Sequence, residues 1–173
     1  MAYADLVTIQ ATDPGSVLTA AWCDQARDND EFLIDPPACS VSHSTTQSLT
    51  NNTSTSLSAD TETFDNDAMH STVTNNNRIT IQTPGRYLLI VTMSFANGTL
   101  GSRAAAFRVN GTTAYPGQFL ATTPSPNTHT LEMNAARTLV LAAGDYVEAR
   151  AYQDNGGALN VQLLEFAATY LTR

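Results

Sequence analysis

Tyr87-Leu88-Leu89-Ile90-Val91-Thr92-Met93-Ser94-Phe95 is apolar at every position except Thr92 and Ser94. Its aromatic and β-branched residues favour extended structure. Turn signals bracket it, Thr83-Pro84-Gly85 before and Asn97-Gly98 after, and leave too little room for a helix. A run with no polar alternation predicts a central strand buried on both faces. Upstream, Arg78-Ile79-Thr80-Ile81-Gln82 alternates strictly. Downstream, Ala105-Ala106-Phe107-Arg108-Val109 runs into the turn dipeptide Asn110-Gly111. Further strands are predicted at 130–133, 137–141, 146–152, 159–164 and 167–171. Short strands separated by turn signals, with no helical period between them, predict an antiparallel β-sandwich or jelly roll over residues 64–173.

The chain ahead of this unit changes character twice. Asp13-Pro14-Gly15-Ser16 is a helix start signal. Leu18, Ala21, Trp22, Gln25, Ala26, Asn29, Phe32 and Leu33 then recur every three or four residues, until Asp35-Pro36-Pro37 stops the helix. Residues 1–39 are therefore read as an arm carrying one amphipathic helix, at about 16–33. Residues 40–63 are rich in serine, threonine and asparagine. That composition suits a linker, whereas the widely spaced Val41, Leu49 and Leu57 suit edge strands; both readings stay open here.

Composition narrows the function. The chain has 173 residues, 14% of them charged, with eight arginines, no lysine and sixteen carboxylates, for a net charge of -8. Nothing resembles a basic stripe for a phosphate backbone, so nucleic acid is not an expected partner. No apolar run reaches the ~18 residues of a membrane span, and the first residues lack the charged and apolar regions of a signal peptide. Cys23 and Cys39 are expected to be reduced thiols, too few for a disulfide scaffold.

The order of motifs is more specific than the composition. Phe64-Asp65-Asn66-Asp67-Ala68-Met69-His70 precedes Asn77-Arg78-Ile79-Thr80 and then Pro84-Gly85-Arg86-Tyr87 with its long strand. Phe107-Arg108-Val109-Asn110-Gly111 follows, then Leu139-Val140-Leu141-Ala142-Ala143-Gly144-Asp145-Tyr146-Val147-Glu148, and the chain closes on Tyr170-Leu171. This series resembles the C1q/TNF-like jelly roll, particularly the form found in virion proteins of tailed bacteriophages. The stretch Thr12 to Trp22, with Arg27-Asp28-Asn29 and Phe32-Leu33-Ile34-Asp35-Pro36-Pro37, resembles leaders on actinobacteriophage structural proteins. There is no Gly-X-Y stalk of the animal branch. The resemblance implies a homotrimer on a virion surface, assembled in the host cytoplasm.

On this resemblance, the leader is expected to dock on a major capsid protein or another virion protein through Leu18, Trp22, Arg27, Phe32 and Leu33. Tyr87, Leu89, Phe166 and Tyr170 would pack at a trimer axis by analogy with the family, or else fill the core of one chain. A head-surface decoration protein is favoured over a tail tip, because the chain is too short for a long stalk. The alternative is a receptor- or glycan-binding adhesin, with Tyr115, Gln118, Phe119 and Tyr152 as its patch beside the loop Thr122–Asn127.

Catalytic signals are missing. His43, His70 and His129 are far apart in sequence and form no zinc-ligand motif, and there is no Gly-x-Ser-x-Gly elbow. No enzyme activity, cofactor or metal is expected. Asp65-Asn66-Asp67 reads as an Asx turn before it reads as a cation site. The Asn-x-Ser/Thr triplets at Asn51, Asn52, Asn97 and Asn110 are chance products of the composition.

Overall fold

The computed structural model describes residues 20–98, 101–121 and 130–173, with the backbone alone over 113–121. Two antiparallel sheets face each other. The first runs β4 (Thr61–Asp65), β1 (Ala38–Ser42), β11 (Leu159–Thr172), β6 (Gly85–Phe95), β9 (Leu131–Leu141), with β2 (Gln47–Leu49) also pairing on β11. The second runs β3 (Thr55–Ser56), β10 (Tyr146–Gln153), β7 (Ser102–Val109), β8 (Thr113–Ala121), with β5 (Ile79–Thr80) also pairing on β10. This is a β-sandwich of jelly-roll type preceded by a helix, α1 (Ala20–Ile34).

Sheet pairing settles what composition leaves open. The Ser/Thr/Asn-rich stretch contributes β1 to β4, and β1 lies inside its sheet, between β4 and β11. Alternation explains how so polar a stretch enters a core: Cys39, Val41, Leu49 and Leu57 are buried, while the hydroxyl residues between them stay nearer to water. The sandwich therefore starts near residue 38 and not at 64. The strands predicted at 130–133 and 137–141 are one continuous strand, as are those at 159–164 and 167–171, because β6 pairs along the whole of β9 and along β11 from Val161 to Thr172. β8 has no counterpart among the strands predicted from sequence.

β6 corrects the prediction made for it. Tyr87, Leu89, Val91, Met93 and Phe95 are fully buried between the sheets, but Arg86 and Ile90 are exposed on the other face. The outward side combines Leu88 and Ile90 with Thr92 and Ser94, and a single chain leaves Leu88 half-buried and Ile90 exposed. Tyr87, Leu89 and Phe166 accordingly belong to the core of one chain and are not available to an axis. Phe166 packs on Phe107 of the opposite sheet, with ring centroids 6.0 Å apart, and the Tyr87 hydroxyl donates to the Thr83 carbonyl at 2.6 Å.

The helix is held by an aromatic stack. Phe32 meets the edge of Tyr170 at 5.1 Å, and Tyr170 meets Tyr87 at 5.5 Å. Gly85 makes this possible, since a Cβ there would lie 2.3 Å from the Tyr170 ring. Asn66 clamps the corner after the helix: its amide donates to Asp35 and to the Pro36 carbonyl, and its oxygen accepts from the Ala38 amide at 2.6 Å. Asx chemistry thus fastens the helix end to the first strand.

Candidate functional site

Two surfaces carry chemistry, one on the outside of each sheet. On the second sheet, the motifs Phe107–Gly111 and Gly144–Glu148 meet in register. Arg108 stands opposite Glu148 on neighbouring strands. Its Nε donates to Glu148 Oε2 at 2.6 Å and its Nη2 donates to Oε1 at 2.8 Å. The Ser56 hydroxyl donates to the same carboxylate at 2.7 Å. Burial works against the Glu148 charge, but the bonds from Arg108 and Ser56 outweigh it and hold the carboxyl below its ordinary range. Gly144 has φ +89°, a left-handed turn conformation that suits glycine. Asp145 accepts from Asn110 at 2.8 Å, and Asn110 accepts from the Tyr146 amide at 2.9 Å. These bonds explain why the two motifs occur together.

Around this pair lie two further arginines. Arg78 sits over the Tyr146 ring, 4.4 Å from its centroid, and Arg150 donates to the Ser54 carbonyl. Tyr152, of the expected receptor patch, is half-buried and donates to Asn52 at 2.7 Å. Tyr115, Gln118 and Phe119 lie on β8, where only the backbone is described, and Thr122–Asn127 lies outside the described residues.

On the first sheet, the outer face is a plain of small and apolar side chains. Register places Phe64, Ser40, Ala167, Ile90 and Ala136 in one row across all five strands. The adjoining row holds Ala38, Thr169, Leu88 and Thr138. Neither row contains a charge; Glu165 and Arg86 stand in the rows on either side of them. Ile90 is 43% exposed, Phe64 50% and Val140, opposite Arg86, 77%. Contiguous exposed apolar faces of this kind are uncommon on monomeric domains. The sequence only hints at this face, through Thr92 and Ser94 on the phase opposite Met93 and Phe95, because Leu88 and Ile90 make that same phase apolar at its other end, and only the pairing shows which residues remain outside.

The leader residues separate. Trp22 is half-buried, Phe32 is turned inward against Tyr170, and Arg27 is exposed among Asp24, Asp28 and Glu31 of its own helix, at 3.2, 3.3 and 3.8 Å. Such exposed pairs contribute little. Leu33 remains 68% exposed beside Ile34, next to a cleft of about 350 Å³ between the helix end and Asn66-Asp67. Leu18 lies outside the described residues. Phe32 thus serves its own sandwich, and among the described residues of the expected docking set Leu33 is the outward apolar side chain.

Asp65-Asn66-Asp67 forms a turn. The Asp65 carboxylate accepts from the amides of Asp67, Met69 and His70, and among the described residues no group of three His, Cys, Asp or Glu is arranged to hold a metal. His70 lies between Glu62, at 2.9 Å, and the Asn76 carbonyl, at 3.2 Å. His43 contacts Gln47, and His129 lies outside the described residues. Burial pushes the Cys39 thiol up to about 12, so it carries no thiolate at neutral pH, and both Cys23 and Cys39 are free.

No family model and no curated protein matches this chain. Solved structures do match it. The globular domain of zebrafish complement 1qA protein aligns with a TM-score of 0.58 at 16% identity, covering 79% of this chain and 98% of that one. Murine APRIL aligns with a TM-score of 0.54 at 10% identity, covering 78% of this chain and 98% of its own. The fold is a C1q/TNF-like jelly roll.

Proposed function

We propose that this chain is a non-catalytic structural module that works as a homotrimer. In this reading, the charge-free outer face of the β4-β1-β11-β6-β9 sheet packs against sister copies. The observation that carries it is the second face of β6: Leu88 and Ile90 extend an apolar strand onto a surface that one chain leaves uncovered. Ala136 and Ala167 flank Ile90, so a neighbouring backbone can approach closely. An apolar centre with charges kept to its margin is the composition of a permanent interface. The motif order, which resembles a family of trimers, supports three copies over two.

The test is the mass in solution. Sedimentation equilibrium at micromolar concentration is expected to give three chains of 18.5 kDa each. A single-chain mass under those conditions would overturn the reading.

In the same reading the trimer belongs to the surface of a tailed phage particle, as a head decoration held through its leader. The resemblance of the leader to phage structural proteins supports this, as does the exposed Leu33 beside Ile34. β1 begins at Ala38 within the sheet, so removing residues 1–39 would damage the sandwich as well as the arm. Paired Leu33→Asp and Ile34→Asp substitutions are the cleaner test. The variant trimer is expected to fold normally and to be lost from purified particles. Retention at the unsubstituted copy number counts against leader docking.

A further inference from the structure

We propose that the outer face of the second sheet binds carboxylated glycans through a strip of arginines and tyrosines along β10. Tyr146, Glu148, Arg150 and Tyr152 alternate along that strand and share one face. Arg108 joins them from β7, and Arg78 reaches in over Tyr146. The strip holds three guanidinium groups and one matched carboxylate, in a chain whose overall charge is -8.

The match is incomplete in a specific way. Glu148 is engaged by Arg108 and Ser56. Among the described residues, no carboxylate lies within salt-bridge distance of Arg78 or Arg150. The Nε groups of both are buried with no hydrogen-bond partner. Asp145, next along the chain, is occupied by Asn110 and by the Ala142 amide. Burial lowers the affinity of Arg150 for its proton and the Arg108 charge lowers it further, with the nearby Glu148 charge offsetting them only in part. Two guanidinium groups are therefore held in place with no carboxylate of the described residues in direct contact.

The surroundings choose the class of anion. Planar guanidinium forks match carboxylates in two-bond geometry. Tyrosines stand at both ends of the strip, each half-buried with an apolar body and a polar tip. Arg78 also lines a hollow of about 160 Å³ with Ser71, Thr74, Asn75 and Gln82, whose hydroxyl and amide groups suit sugar hydroxyls. The described residues on the strip offer no large aliphatic anchor of the sort a protein interface centres on. A nucleic-acid backbone calls for a longer basic track than two unmatched charges. This inference does not rest on the trimer, which would only multiply identical strips.

The test is calorimetric titration of the full chain with α-1,4-tetragalacturonate, a guluronate tetramer and sialyllactose at low ionic strength, with maltotetraose and decaglutamate as comparators. At least one carboxylated glycan is expected to bind in a salt-sensitive way. Maltotetraose is expected not to bind, and decaglutamate to bind more weakly. The double variant Arg78→Gln with Arg150→Gln should lose about tenfold or more in affinity, the scale of a charge-assisted hydrogen bond. It should keep the far-UV circular dichroism and cooperative unfolding of the unsubstituted chain, which separates lost binding from lost folding. Arg27→Gln, which removes an exposed helix charge, should bind as the unsubstituted chain does. The proposal falls if none of the three acidic glycans binds, if decaglutamate binds equally well, or if the double variant keeps full affinity.

Discussion

Replacing Ile90 with glutamate is expected to give a folded single chain in place of the proposed trimer. Ile90 is already 43% exposed, so a carboxylate there meets water in the isolated chain and costs the sandwich little. In the trimer the same carboxylate would sit at the centre of an apolar contact with no cation opposite, flanked by Ala136 and Ala167. An unpaired charge buried in this way costs several kcal/mol. A closed symmetric assembly repeats that cost in each copy, so three copies multiply it. Sedimentation velocity should therefore move from a trimer to a single chain, while far-UV circular dichroism keeps its β-sheet signature. Ala136→Glu, on the next strand of the same row, should do the same. A trimer that persists in both variants would show that this face is not the contact.

The residues of this face show how far sequence can lead. The apolar run of β6 is legible as a strand, and its excess of apolar side chains is legible as a need for a second covered face. Which side chains make up that excess is not. Tyr87, Leu89 and Phe166 look like axis residues by analogy, but alternation sends them between the sheets, and Leu88 and Ile90 face out. A one-residue difference of phase decides the matter, and only the partner strands fix the phase. Residues 40–63 pose the opposite problem. Their polar composition fits a linker, yet β1 is clamped between β4 and β11 because two buried side chains, Cys39 and Val41, suffice to place a five-residue strand. The coupling of Phe107–Gly111 with Gly144–Glu148 is visible in the sequence only as motif order. Its cause, the pairing of Arg108 with Glu148 and Asn110 with Asp145, lies in side-chain bonds between residues about forty positions apart. The leader helix is legible from its spacing, but Phe32 faces its own chain because Tyr170, far away in sequence, offers it a ring edge.

The largest effect on stability is expected from Arg108→Ala, and its size should depend on which partner is left behind. The Glu148 side chain is 5% exposed and that of Arg108 is 27% exposed. Removing Arg108 leaves a buried carboxylate with only Ser56, a long bond from Asn77 at 3.4 Å and the charge of Arg150, and breaking a buried pair in this way costs ~3–5 kcal/mol. Removing Glu148 leaves a guanidinium that can still reach water and the Ser56 hydroxyl, 3.2 Å from its Nη2. Glu148→Ala should therefore cost less, about 1–2 kcal/mol. Replacing both with apolar residues of similar size should come close to the unsubstituted stability. The pH dependence gives a second, independent readout. In the unsubstituted chain the Glu148 carboxyl lies below its ordinary value, so its contribution is full above the unfolded value, ~4.3. That contribution is lost as pH falls through the lower folded value. Without Arg108, burial acts on Glu148 with far less opposition and raises its affinity for a proton, which reverses the sign. The deficit of Arg108→Ala should then begin to shrink while the pH is still above that unfolded value, whereas the deficit of Glu148→Ala should stay constant down to it and shrink only below it, where the unsubstituted chain loses its own Glu148 contribution. Urea unfolding of both single variants across pH 3 to 8 checks this, and parallel pH profiles for the two would mean that the pair does not hold the motifs together.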